Sequence, residues 1–391
     1  MRIKILQRAD ELKPAMIELA QAIHSEPELS GQEHHASQRH VNLLLQNGFQ
    51  VEYPFAGYPT AFKALASSSR PGPTIAYLAE YDALPEIGHG CGHSLLGAVS
   101  TIAGIVLASV VEAVGGRVMV LGCPAEETDG AKVKFADIGV FSDVDAAMLA
   151  HPYYQFCESG SSLAMEALRF EYRGEAAHAV DYPEHGINAL HGLVQFFYTC
   201  MELQKQLPPT MKLNGIISQG GHAANLIPDY ACADFHLRAT SSSDLELLKE
   251  KVILYAENAA KGTGTTVRIS SFESAYQEMI SNRALSECFN QNLRSIGPVE
   301  ITPPATQPFS LDMGNVSHVC PAIHPYFGVC ESSCASLHTK EFAVCTASDY
   351  AYTQALVTAK ALALTGLELM TDTVLLQTVK MEYNNFANSF S

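Results

Sequence analysis

The chain has 391 residues, a 47% hydrophobic content and 41 acidic against 24 basic side chains, for a formal charge of -17. That length and apolar fraction predict two packed domains rather than one growing core. The charge, with no dense Lys/Arg run to offset it, excludes a phosphate backbone or an anionic lipid surface as the natural partner.

In chain order, Ile5 to roughly Asn47 carries apolar residues at helical spacing with a break at Ser25-Glu26-Pro27, which predicts two amphipathic helices covering a sheet. Thr74 to Leu84 reads as a strand, and the uncharged run Ser94 to Val111 as a buried helix, since its Gly, Ser and Thr content and polar flanks argue against a membrane span. Arg117 to Pro124 is a second strand, Ala131 to Phe141 a helical patch, and Ala146 to Pro152 a third strand. Strands alternating with helices predict an α/β layer structure with a mainly parallel sheet flanked by helices.

From Ala164 the pattern changes to strands with two intervening helices, at Asn188 to Leu207 and Ser243 to Gly262, which predicts an inserted α+β module. After Ala275 helix and strand signals resume and end in a helix around Tyr350 to Thr365. The expected division is therefore 1–163 with 276–391 as a discontinuous domain and 164–275 as the insert. The ten cysteines are irregularly spread and the N-terminus has no apolar signal core, so free thiols in the cytoplasm are expected.

Three clusters carry chemistry. Asp82, His89, Cys91 and His93 follow the first strand in a glycine-rich loop, EYDALPEIGHGCGH, where a thiolate and an imidazole two residues apart suit zinc. Glu126 and Glu127 end the second strand, so that one acid can bind a metal while its neighbour moves protons. His151 ends the third. In an open parallel sheet all three lie at the carboxyl ends of strands, where ligands bind.

These motifs, with GEAAHA, GGHAANLIPDYACADFHLR, LDMGNVSHVCPAIHPYF and SLHTKEF, resemble in order the two-metal aminoacylase/carboxypeptidase amidohydrolases, and among them the p-aminobenzoyl-glutamate hydrolase subunits and related dipeptidases. The resemblance implies metal ligation by Cys91, His93, Glu127, His151 and His338, a general base at Glu126, and an orienting acid at Asp82. It implies two divalent ions, zinc first because of the thiolate, with manganese or cobalt as alternatives. Other branches carry His-x-Asp where Glu80-Tyr81-Asp82 stands, which leaves the bridging ligand open.

By the same resemblance the insert is a lid and dimerisation domain of a homodimer. In it His178 polarises the scissile carbonyl, Asn225 hydrogen-bonds the substrate and Arg238 clamps its carboxylate, while His324 of the first domain is a further substrate contact. The implied substrate is a small amide with a free carboxylate: an N-acyl amino acid, an aminobenzoyl-glutamate-like amide or a short dipeptide. His89, His318 and the Cys330/Cys334 pair read as structural, and Tyr326 and Phe327 as core. Two rivals are a non-catalytic relative that binds a carboxylate ligand or a partner subunit, and a cysteine hydrolase with Cys91 as nucleophile, for which His93 is a poorly placed base.

Overall fold

The computed structural model describes residues 1–297, 299–331 and 335–387. The chain divides into two units. Unit 1 comprises Met1–Ser161, Met279–Gln307 and Leu311–Ser391, and unit 2 comprises Ser162–Glu278 with Pro308–Ser310.

Unit 1 is built on a six-stranded sheet. Thr74–Ala79 is central, fully buried, and parallel to both Arg117–Gly122 and Ala146–Met148, with Ala322–Ile323 continuing the parallel set. Phe62–Ser67 and Gln50–Glu52 add an antiparallel edge that the sequence reading did not anticipate. A separate parallel pair joins His151–Tyr153 to Tyr326–Gly328. Strands buried on both faces read as apolar runs, as these do.

The helix His93–Ala108 packs on the central strands with every residue from His93 to Leu107 buried. Among the described residues no helix is long and apolar enough to cross a membrane. Gly97 makes that packing possible, because a Cβ there would lie 2.4 Å from the Glu80 carbonyl oxygen. The N-terminal region forms three helices, not two: Arg2–Glu11, Lys13–Ser25 and His34–Gln46. The first break falls at Leu12, just ahead of Pro14, whose missing N–H is harmless in a first turn. The last expected helix is longer than read, Asp349–Thr371, and is followed by Thr373–Ala387.

His40 is fully buried in this core, its Nδ1 2.8 Å from Thr101 Oγ1 and its ring against Tyr81 and Phe62. Burial pushes its pKa down from 6.5 to about 3. The unfolded chain therefore takes up a proton that the folded chain refuses. Stability is complete above 6.5 and is lost as the pH falls from 6.5 toward 3, at about 1.4 kcal/mol per pH unit for this group. Urea midpoints across that window should fall less steeply for His40→Phe than for the wild type, and equal slopes would refute the assignment.

Unit 2 is an antiparallel four-stranded sheet, Thr266–Ser271, Ala164–Arg173, Tyr230–Ala239 and Met211–Gln219 in spatial order. The helices Ala189–Gln204 and Ser242–Thr263 cover it and bury an aromatic core of Phe170, Tyr172, Phe196 and Phe235. Asn188 and Ser241 cap these helices with their side chains, which explains where each begins.

Candidate active site

Unit 1 gathers the motif residues beyond the carboxyl ends of its parallel strands. The chain leaves Ala79 and places Glu80 and Asp82 at the start of the loop, and Gly92, at φ 87°, turns it into the helix that His93 opens. Asp82 is fully engaged. Its Oδ1 accepts from His93 Nδ1 at 2.8 Å, while its Oδ2 accepts from Ser30 Oγ at 2.7 Å and the Glu127 N–H at 3.0 Å. Burial raises the Asp82 carboxyl, but His93 and these donors overcome it and hold the pKa near 2. The hydrogen bond to Asp82 leaves His93 Nε2 to face Glu80, Glu126 and Glu127, and although burial lowers the ring's pKa, Cys91 and Asp82 push it well above 6.5.

Glu126 and Glu127 follow Ala125, a non-glycine residue at φ 59°. That strained conformation is held by Glu33, whose Oε1 accepts from the Ala125 N–H at 2.8 Å and the Gly31 N–H at 2.7 Å while Oε2 accepts from Thr60 at 2.8 Å. Glu127 is 3.9 Å from His93 Nε2 through Oε1 and 3.5 Å from His338 Nε2 through Oε2. Glu126 Oε2 is 3.7 Å from His93 Nε2. Burial first, then Glu127 and Glu80, pushes the Glu126 carboxyl well above its ordinary range.

His151 donates from Nδ1 to the Pro152 carbonyl at 2.7 Å, so its Nε2 faces Cys91 Sγ at 3.5 Å as an acceptor. Burial, reinforced by His324 and His93, lowers its pKa to about 3 and keeps the ring neutral. His338, half exposed and at φ 63°, is tied in by its N–H to the Gly90 carbonyl at 2.9 Å. His324 stacks on His151 at 5.5 Å between ring centroids and carries a buried Nδ1 without a hydrogen-bond partner.

Three sets of donor atoms each lie within 4.8 Å of one another: Cys91, His93 and His151; Cys91, Glu127 and His338; Glu80, His93 and Glu126. His93 Nε2, Glu80 Oε2 and Glu127 Oε1 are buried without a hydrogen-bond partner. Such lone pairs are expensive to bury unless a cation takes them, so these residues fit divalent metal ions.

All five sequence-predicted ligands, with Asp82, Glu126 and His324, thus belong to unit 1 and cluster there. His178, Asn225 and Arg238 belong to unit 2. His178 and Asn225 meet on a short ribbon, where Leu226 pairs with His178 and the Asn225 carbonyl accepts from the Ala179 N–H at 3.0 Å. Arg238 stands on the strand Tyr230–Ala239, with Nη2 3.5 Å from Met165 Sδ and a buried Nε lacking a hydrogen-bond partner. Tyr326, expected as plain core, packs its ring on His151 and His324. His89 is structural as expected, donating to the Ile23 carbonyl and stacked on His24. Cys334 lies outside the described residues, and the other nine cysteines are free thiols.

Residues 166–264 match the family described as a peptidase dimerisation domain, M20_dimer. The Xaa-Arg dipeptidase of Mus musculus is 36% identical over 96% of this chain and 90% of its own length. The chain belongs to the M20 peptidase family. A p-aminobenzoyl-glutamate hydrolase polypeptide of Escherichia coli K12 is 31% identical over 72% of this chain and 63% of its own. The solved structure of a Bacillus subtilis protein described as a dinuclear metal binding peptidase from the M20 family superposes with a TM-score of 0.67 at 17% identity, covering 91% of this chain and 98% of that one. As an M20 member the chain is an enzyme that hydrolyses amide bonds.

The family reading of a mainly parallel catalytic sheet with a separate α+β module agrees with these folds. Sequence reasoning missed Glu80, Lys132, Asp312 and Glu33. Glu80 left a signal, as the acid that stands where other branches carry histidine, and Asp312 lies in the run LDMGNVSHVCPAIHPYF, whereas Lys132 and Glu33 left none.

Proposed function

We propose that this protein is a two-cation amidohydrolase that cleaves a small amide with a free carboxylate: a short dipeptide, an N-acyl amino acid or an aminobenzoyl-glutamate-like amide. The observation that carries the reading is the pair of donor sets that share Cys91, one completed by His93 and His151 and the other by Glu127 and His338. Common to both sets, the Cys91 thiolate would serve as a ligand to the cations held there. The soft sulfur favours zinc over manganese or cobalt.

Bound there, two divalent cations supply Lewis acidity to the attacking water and to the amide carbonyl. The chain's own groups do the rest. Asp82 and the Pro152 carbonyl take the Nδ1 protons of His93 and His151, so that both Nε2 atoms would be left for a cation. Glu126 takes the proton of the attacking water on its carboxylate and delivers it to the departing amide nitrogen. The raised basicity of Glu126 suits a group that must hold a proton between two steps.

From unit 2, His178 hydrogen-bonds the carbonyl oxygen as it gains charge, Asn225 orients the substrate, and Arg238 binds its carboxylate. His324 is a further substrate contact beside His151. The match to a peptidase dimerisation domain supports a homodimer, and the reading places it in the cytoplasm, where its free thiols would stay reduced. Because the relative 36% identical is named for Xaa-Arg dipeptides, dipeptides ending in arginine head the substrate panel.

Metal removal tests this reading. Prolonged chelation should abolish hydrolysis across the panel, and zinc or manganese should restore it with up to two ions per chain by elemental analysis. Full turnover by metal-free protein would end the proposal.

A further inference from the structure

Lys132 is fully buried near the start of the helix Ala131–Asp137, an unusual place for an ammonium group. It lies 2.5 Å from Asp312 Oδ1 and 2.8 Å from Glu80 Oε1, and the Lys132 N–H donates to Asp312 Oδ2 at 3.3 Å. All three side chains are at most 2% exposed. One positive and two negative charges leave this buried triad with a net negative charge.

That surplus is directed. Glu80 gives one oxygen to Lys132, and its other, Oε2, has no hydrogen-bond partner and stands 3.3 Å from His93 Nε2, which also has none. Asp82 already accepts the Nδ1 proton of that ring, which leaves Nε2 facing a carboxylate oxygen, a pair that takes a proton or a metal ion between its atoms. Glu126 completes this third donor set, of which the proposed ligands use only His93.

We propose that Glu80 Oε2 is an additional donor to the cation held by His93, and that Lys132 and Asp312 are positioning residues which lock the other half of its carboxylate. The inference rests on the two-cation reading above. Lys132 neutralises Asp312 and fixes Glu80 Oε1, so that Oε2 is presented without rotational freedom. Carboxylate ligands are regularly held by an outer partner of this kind. Glu80 belongs to the donor set of His93 and Glu126 and not to that of Cys91, His93 and His151, so its oxygen would approach a cation on His93 from the Glu126 side.

The test is metal affinity, measured by competition of zinc between the full-length protein and a chromophoric chelator. Glu80→Gln keeps an oxygen for Lys132 but replaces the second donor with an amide. We expect one of the two zinc equivalents to weaken by at least about tenfold while the other is unchanged, with circular dichroism and thermal unfolding confirming the fold. Two equivalents bound as tightly as in the wild type would overturn this inference alone. A wild type that holds fewer than two would overturn the two-cation reading and this inference with it. Should Glu80→Gln fail to fold, the crystal structure of the zinc-loaded wild type decides. A Glu80 oxygen about 2.0–2.2 Å from zinc supports the assignment, and a separation beyond about 3 Å refutes it.

Discussion

Glu126→Gln should retain both metal ions and bind substrate while turnover falls by about 10²–10⁴-fold, the usual worth of a general acid-base. The substitution keeps shape and removes only the site that receives a proton. Its neighbour should behave differently. Glu127 directs its two oxygens toward His93 and His338, so Glu127→Gln should lose metal before it loses chemistry. Elemental analysis beside steady-state kinetics separates the two. Equal metal loss in both variants, or an active Glu126→Gln, would show that the adjacent acids do not divide the work this way.

Lys132→Met should destabilise unit 1 by about 3–5 kcal/mol, because it strands two buried carboxylates that now share one ammonium group. Methionine matches the volume of the lysine stem, so packing changes little and the loss is electrostatic. Removing one of the stranded charges should return part of it: Lys132→Met with Asp312→Asn is expected to be more stable than Lys132→Met alone. The measurement is urea unfolding in the presence of chelator, so that bound metal does not contribute. A single variant within about 1 kcal/mol of the wild type would mean that water or a proton compensates the triad.

The parallel core and part of the candidate site are legible in the sequence because three of the motifs directly follow an apolar strand. Asp82, Glu126 and His151 stand at adjoining strand ends once the strands align, whatever the loops do. What supports them is not legible. In AKVKFAD a lysine reads as a solvent-facing helix residue, and its burial is decided by Asp312, 180 positions away. Glu33 sits in a polar loop like many others, and only the fold brings it under Ala125. The strand Phe62–Ser67 has the right alternation but is short and lies between proline- and serine-rich stretches, so its local signal is weak. The N-terminal helices are hard to count from sequence because proline at the start of a helix continues the apolar periodicity across the break.

Glu33 props the turn that carries Glu126 and Glu127 from 92 residues upstream, Asp312 reaches Lys132 across 180, and the His338 N–H closes on Gly90. Contacts of such sequence separation form late, since loop closure opposes them until the surrounding core exists. On the proposed ligand set, a growing polypeptide would carry Cys91, His93, Glu127 and His151 long before His338 joins them, and the site would be complete only after the residues around His338 had docked.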